Sequence, residues 1–192
     1  FSSVAFPVAA GIVTRSPVVI EGVDWQDAQG DKQLFYALLA AGVSLDLDNE
    51  KGVIGINRSS AMQACQLDIN DYIDALTILA VLATQAQGTV EIVNAAIARE
   101  KESDRVAAIA SELSKMGANI DVREDGLLVY PSDLQGAVVE SFGDHRMVMS
   151  LAVAGLIAEG ETLINNAACV RKSYRTFVKD MQKLGAKMEV LT

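Results

Sequence analysis

The chain has 192 residues, of which 51% are apolar, and a formal net charge of −9. That length buries a sizeable core, and no stretch of about eighteen residues is free of charged or polar side chains, so a soluble globular protein of one large or two small domains is expected and a transmembrane span is not. The acidic balance and the small size of the Lys/Arg clusters argue against a nucleic-acid surface and suit a small anion better than a polyanion.

In chain order, the opening apolar run SSVAFPVAAGIV has no basic flank and is matched by two later runs, so it reads as structure and not as a signal peptide. Because the chain begins with Phe1 and not Met, a processed product or an excised part of a longer protein is expected. A mostly apolar helix is predicted over residues 3–13, with Pro7 near enough to its start to be tolerated. A short β-branched strand follows at 17–21, then a helix at 31–41 with Asp31 at its positive end. Residues 43–47 and 52–56 form a hairpin across the acidic DNEKG turn. Residues 58–67 read as irregular or edge-like.

From Tyr72 to Ala86 the sequence is apolar nearly all round, which marks a helix covered on most sides, with Asp74 in its first turn. A carboxylate there is either a cap or a reactive acid. A strand at 89–93 leads to the segment REKESDR, residues 99–105. Glu102, Val106, Ile109, Leu113 and Met116 recur at spacings of 4, 3, 4 and 3, which predicts an amphipathic helix closing at Gly117. Glu102 then heads the buried face as a partly desolvated acid, flanked by Lys101 and Arg105 one turn apart. That arrangement suits an anionic substrate and proton transfer, or a solvated helix start whose charges merely pair. Strands at 119–122 and 126–130 flank the turn Glu124, Asp125. A second nearly all-apolar helix spans 147–158, with Asp144, His145 and Arg146 at its start. A strand at 162–165 precedes a last helix carrying Tyr174, Phe177, Met181 and Leu184 as its buried stripe, and Lys172 stands just before it.

The chain repeats. LLAAGVSLDL, LSKMGANIDV and MQKLGAKMEV each close a helix on glycine, and Gly42, Gly117 and Gly185 lie 75 and 68 residues apart. Units of approximately 1–57, 71–130 and 143–192 follow one plan, too long a period for the usual solenoids and suited to α/β modules about a common axis. If such modules are related by rotation, the charged helix heads converge at one end, where free N–H groups attract anions. No Walker loop, dinucleotide fingerprint or G-x-S-x-G motif occurs. His145 is the only histidine, so a metal cage would be built mostly from Asp and Glu, and neither metal nor cofactor is expected. Cys65 and Cys169 lack metal spacing and read as buried small hydrophobes in a reducing, cytosol-like compartment.

The segments REKESDR, GDHRMVM and CVRKSY, in this order and these apolar contexts, resemble the 5-enolpyruvylshikimate-3-phosphate (EPSP) synthase family. SSVAFPVAAG and the QGD of Gln29 to Asp31 match as well. The resemblance covers essentially the whole of 1–192 and corresponds to the latter half of a two-domain enolpyruvyl transferase. It implies an inverse α/β (enolpyruvyl transferase-like) domain of repeated β-α-β-α-β-β units. It also implies a cytoplasmic, monomeric parent that uses no cofactor and moves the enolpyruvyl group of phosphoenolpyruvate onto the 5-hydroxyl of shikimate 3-phosphate. Residue by residue, Asp74 resembles the family's proton acceptor that contacts the shikimate hydroxyls, Lys101 the lysine reaching both substrates, and Glu102 the acid that protonates the methylene. Arg105, Arg146 and Lys172, with Lys101, resemble the phosphoenolpyruvate-binding cations, and Asp104, Asp144 and His145 the organisers of these loops. Ile97 stands where many relatives carry an asparagine touching the shikimate phosphate, with Asn94 as a possible substitute, and Arg175 stands where proline is common. The missing N-terminal domain would supply further substrate contacts, so the chain alone is expected to be inactive. The alternatives are a UDP-N-acetylglucosamine enolpyruvyl transferase-like enzyme, or a non-catalytic module binding phosphorylated metabolites, in which the cations need not cluster.

Overall fold

The computed structural model describes residues 1–56 and 61–191. Helix α1 (Ala5–Val13), strand β1 (Val18–Ile20), helix α2 (Gln33–Ala40) and strands β2 (Leu45–Asp48) and β3 (Val53–Ile56) come first. They are followed by β4 (Gln63–Asp68), α3 (Leu76–Thr84), β5 (Gln87–Val93), α4 (Arg105–Lys115), β6 (Asn119–Arg123) and β7 (Gly126–Tyr130). The last part carries β8 (Val138–Glu140), α5 (His145–Gly155), β9 (Leu163–Asn165) and α6 (Phe177–Lys183). Among the described residues the strands form three sheets, ordered β1-β3-β2, β4-β5-β7-β6 and β8-β9. In the second sheet β4 and β5 are parallel while β5, β7 and β6 are antiparallel, so the segment β4-α3-β5-α4-β6-β7 is one complete β-α-β-α-β-β unit.

Local chemistry explains where these elements turn and stop. Asp48 closes the β2–β3 hairpin by accepting the N–H groups of Glu50 and Lys51 on its carboxylate, at 3.2 and 2.9 Å. Gly117, at φ 89°, ends α4 in the left-handed region that a side chain resists, and Gly42 and Gly185 take the same conformation behind α2 and α6. The hydrophobic patterning then decides the layers. Every residue of α3 is buried, since α1, α4 and α5 all pack against it, and α1 and α5 also touch each other. Its one interior hydroxyl near α5, Thr77, accepts a hydrogen bond from Ser150 at 2.8 Å, so the central helix pair buries no unsatisfied group there. Mutual packing of the apolar helices leaves their N-terminal ends, with their charged residues, facing one region.

Several expectations are revised or narrowed. Of the segment read as irregular or edge-like, residues 63–67 belong to the six-residue edge strand β4 paired with β5, in line with the edge-like alternative, and 58–60 lie outside the described residues. Strand β8 is not legible in the sequence because it is three residues long and pairs on one side only. The helix over 72–86 is shorter: Tyr72 leaves helical geometry (φ −140°, ψ 46°), a 3₁₀ turn occupies Asn70–Ala75, and α3 starts at Leu76. Leu184 belongs to no buried stripe, being 48% exposed just beyond α6, whereas Phe177 and Met181 are buried as expected.

Candidate active site

The site is built on the heads of α3, α4 and α5. The break at Tyr72 places Asp74 in the 3₁₀ turn ahead of α3, where its carboxylate projects toward the other two helices. Its Oδ1 accepts from Arg105 Nη1 at 2.8 Å and lies 3.4 Å from Lys101 Nζ; its Oδ2 accepts from Arg146 Nη2 at 2.9 Å. Burial works against ionisation of Asp74, but Arg146, Arg105 and Lys101 together outweigh it and hold the carboxyl below the ordinary aspartate range. Three cations from two segments, Lys101 and Arg105 of REKESDR and Arg146 at the head of α5, therefore meet on one acid. A small cavity beside it, lined by Ser2, Phe6, Asp31, Asp74 and Arg146, brings the start of α1 to the same place.

The largest revision concerns which residue of REKESDR is buried. Asp104 caps α4 by accepting the N–H of Ala107 at 3.0 Å, and Lys101 is extended, so the helix starts at Arg105 and Glu102 falls outside it. The Glu102 side chain is 43% exposed and that of Arg105 1%. The desolvated group of the motif is thus the cation, not the acid. Periodicity misassigned the face because capping by Asp104 cut the helix one turn short of the pattern.

Arg105 is surrounded by carboxylates. Nε donates to Asp144 Oδ2 at 2.7 Å, Nη1 to Asp74, and Nη2 to Glu102 Oε2 at 2.7 Å and Asp144 Oδ1 at 3.4 Å. Asp144 is 0% exposed; it also caps α5 by accepting the N–H of Arg146 at 2.8 Å and accepts the Ser103 hydroxyl at 3.1 Å. Burial opposes its charge too, and the Arg105 contacts with the Arg146 and Ser103 hydrogen bonds reverse that effect, so its carboxyl lies below the usual range. A guanidinium has five N–H donors, so Arg105 keeps few for any further anion. Arg146 differs: apart from Asp74 it has a buried Nε with no partner among the described residues, a donor in reserve.

Lys101, Arg105 and Arg146 thus face Asp74, Glu102 and Asp144, three cations against three carboxylates. An incoming anion has to compete with carboxylates for these cations; it does not meet an open basic pocket. Lys172 is exposed at the end of the 3₁₀ turn Ala167–Lys172, which packs on α5, and no ion pair or hydrogen bond joins it to this cluster among the described residues. Ile97 is 61% exposed, and Asn94 donates its amide to Asp68 at 2.8 Å, away from the cluster. Ser103 is a member of the network that spacing gave no reason to select, because its hydroxyl matters only through Asp144.

His145 sits in the first turn of α5 with its Nδ1 buried and unpartnered among the described residues, 3.8 Å from Asp144 and 3.9 Å from Glu102. Those distances are too long for hydrogen bonds. Burial first, then Arg146, push its pKa below the ordinary histidine value. The unfolded chain consequently binds a proton that the folded ring refuses once the pH drops below about 6.5. Stability contributed by the neutral ring is full above that pH and is lost as the pH falls toward the folded-state value. Urea midpoints measured between pH 7.5 and 5.5 should decline, and His145→Gln should flatten that slope; an unaltered slope would show that His145 is not its source.

A family model for EPSP synthase (3-phosphoshikimate 1-carboxyvinyltransferase) matches residues 1–181. The chain belongs to the EPSP synthase family. Among curated members named 3-phosphoshikimate 1-carboxyvinyltransferase, the protein of Chlamydia pneumoniae is 42% identical over 191 residues, covering 98% of this chain and 42% of the relative. That of Chlamydia muridarum is 46% identical over 189 residues, with 97% and 42% covered. The archaeal protein of Methanocella arvoryzae is 43% identical over 190 residues, with 99% and 44% covered. The chain thus spans less than half the length of these EPSP synthase relatives. A solved EPSP synthase from Acinetobacter baumannii superposes with a TM-score of 0.90 at 27% identity, covering all of this chain and 47% of that one. The enolpyruvyl transferase NikO from Streptomyces tendae shares the fold, with a TM-score of 0.76 at 22% identity. The α/β units described above are therefore those of the enolpyruvyl transferase-like fold seen in EPSP synthase. No helix among the described residues is long and apolar enough to cross a membrane.

Proposed function

We propose that this chain is the latter half of a two-domain, cytoplasmic EPSP synthase, a single domain that with the remaining half transfers the enolpyruvyl group of phosphoenolpyruvate to the 5-hydroxyl of shikimate 3-phosphate and releases phosphate. The observation that carries this reading is the meeting of Lys101, Arg105 and Arg146 on Asp74 within a chain of this family. A docking module has no need to bring those cations together.

In this reading the substrate oxygen adds to C2 of phosphoenolpyruvate while its proton passes to Asp74 and Glu102 delivers a proton to the methylene carbon. Glu102, left as the carboxylate, then takes a proton back from that carbon as the C2–O bond to phosphate breaks, and the proton held by Asp74 leaves with the departing phosphate. In this reading Arg146, whose Nε has no partner among the described residues, and Lys172, exposed and without an ion pair or hydrogen bond to the cluster among the described residues, take phosphoenolpyruvate first. Lys101 spans both substrates. Arg105 holds the carboxylates in register and meets the anion only as Glu102 or Asp74 lets go. The competition has a chemical use: an anion that draws Arg146 and Lys101 from Asp74 removes the charges that depress its pKa, so the base strengthens when substrate is present. Preorganised donors of this kind stabilise the charge that shifts during addition.

The test is to assay the 192-residue chain alone and again with the missing N-terminal half supplied. Alone, it is expected to give no phosphate release, because a substrate gripped from two domains reacts only when both set its geometry. Calorimetric titration should still detect weak phosphoenolpyruvate binding that Arg146→Met abolishes. Transfer activity should return on reconstitution. Full turnover by the chain alone would overturn the half-enzyme reading. Absence of activity from a folded, reconstituted pair with both substrates would overturn the transferase reading in favour of a binding module.

A further inference from the structure

The loop that presents Lys101 and Glu102 runs from the 3₁₀ turn Ala96–Glu100 to the cap of α4. On the cluster side the loop is held by Glu102, which accepts from Arg105 Nη2 at 2.7 Å, and by Ser103, which donates to Asp144 at 3.1 Å, while Lys101 lies 3.4 Å from Asp74. The tie to the sheet is Arg99. Its Nη2 donates to the carbonyl of Arg123 at 2.7 Å, its Nε to the carbonyl of Glu124 at 3.2 Å, and its Nη1 to both Asp104 oxygens at 3.3 and 3.0 Å. The two carbonyls belong to the β6–β7 turn, and Asp104 is the cap of α4, so one guanidinium ties the back of the loop to the sheet and its front to the helix. Asp125, in the same turn, adds a backbone clamp by accepting the N–H groups of Ala96 on its carboxylate, at 2.6 Å, and of Ala95 on its carbonyl, at 3.2 Å.

We infer that Arg99 is a positioning residue: by fixing loop 96–104 on the β6–β7 turn it sets where the Lys101 ammonium and the Glu102 carboxylate stand relative to Asp74. It touches none of Asp74, Arg105, Asp144 and Arg146, so it acts through the backbone and not as part of the charge cluster. An isolated surface ion pair would contribute little. Arg99 instead makes four bonds to three groups in different directions, which a planar fork can do and an ammonium cannot. The catalytic consequence rests on the function proposed above; the ordering of the loop does not.

The experiment uses the intact parent protein carrying Arg99→Met, Arg99→Lys, Lys101→Met or Arg99→Met together with Lys101→Met. Hydrogen exchange is followed at Ala96, Ala98 and Ala107, whose N–H groups are bonded to Asp125 in the β6–β7 turn, to the carbonyl of Ala95 and to the Asp104 cap. In Arg99→Met their exchange is expected to rise by about tenfold or more while that of the buried α4 interior stays within about twofold, as for a local opening. Arg99→Lys should fall between. In phosphate-release kinetics Arg99→Met is expected to lower kcat by roughly tenfold, the scale of a small misplacement of reacting groups. The losses in the double variant should fall short of multiplying, because the part of the Arg99→Met loss that acts through Lys101 is already gone. Unchanged loop exchange overturns the inference whatever the kinetics. Kinetic losses that multiply in the double variant overturn it as well, since Arg99 would then act elsewhere. A parent with no transfer activity sinks the proposed function alone, and the exchange measurement still decides the ordering of the loop.

Discussion

Asp144→Ala is expected to lower the unfolding free energy of this chain by about 3–5 kcal/mol, the range seen when one partner of a buried charge pair is removed. The carboxylate is fully buried, and it takes the short Nε bond of an Arg105 that is itself 1% exposed. Deleting it leaves that guanidinium with Asp74 and Glu102, both partly solvated, and removes the α5 cap and the Ser103 bond. Asp144→Asn keeps the cap and the shape, so it should cost about 1 kcal/mol less, the usual worth of a cap. Urea denaturation at pH 7 measures both. A loss below about 1 kcal/mol for the alanine variant would mean that Asp74 and Glu102 suffice to hold Arg105. The same geometry predicts an acid limb. Because the folded pKa values of Asp144 and Asp74 are depressed, their contribution is present above about pH 3.9 and is lost as the pH falls further through the folded values.

In the intact parent protein, Asp74→Asn is expected to reduce turnover by about 10²-fold or more while leaving it folded. The amide keeps the size of the carboxylate and can still accept from one arginine, so the α3 head stays packed. It cannot take a proton from a substrate hydroxyl. Nor does it compete for Arg146 and Lys101, so phosphoenolpyruvate should bind more tightly to the variant even as turnover falls. That opposition between binding and rate separates a base from a cap: a residue that only capped the helix would change neither. Steady-state kinetics with an equilibrium titration of phosphoenolpyruvate reads both quantities, and undiminished turnover would reduce Asp74 to an organiser of cations.

Much of this was legible in the sequence, for identifiable reasons. Glycines Gly42, Gly117 and Gly185 punctuate the repeat because a helix end in the left-handed region excludes most side chains, a purely local rule. The all-apolar runs that became α3 and α5 signalled helices covered on every side, since burial leaves no solvated face to pattern. Asp74, Lys101, Arg105 and Arg146 are legible as charged helix heads and through the family resemblance, and the fold brings them together, whereas Lys172, legible on the same grounds, has no ion pair or hydrogen bond with them among the described residues. What tertiary structure alone decided is who is desolvated and who is paired. Whether the helix of REKESDR begins at Glu102 or Arg105 depended on Asp104 taking the cap, and that choice exposed the acid and buried the cation. Strands β4 and β8 acquired their identity from neighbours distant in sequence, because a short edge strand is held by one partner's hydrogen bonds and not by its own composition. The balance of three cations against three carboxylates likewise has no sequence signature, because charges on three separate helices interact only once packing brings them within a few ångströms.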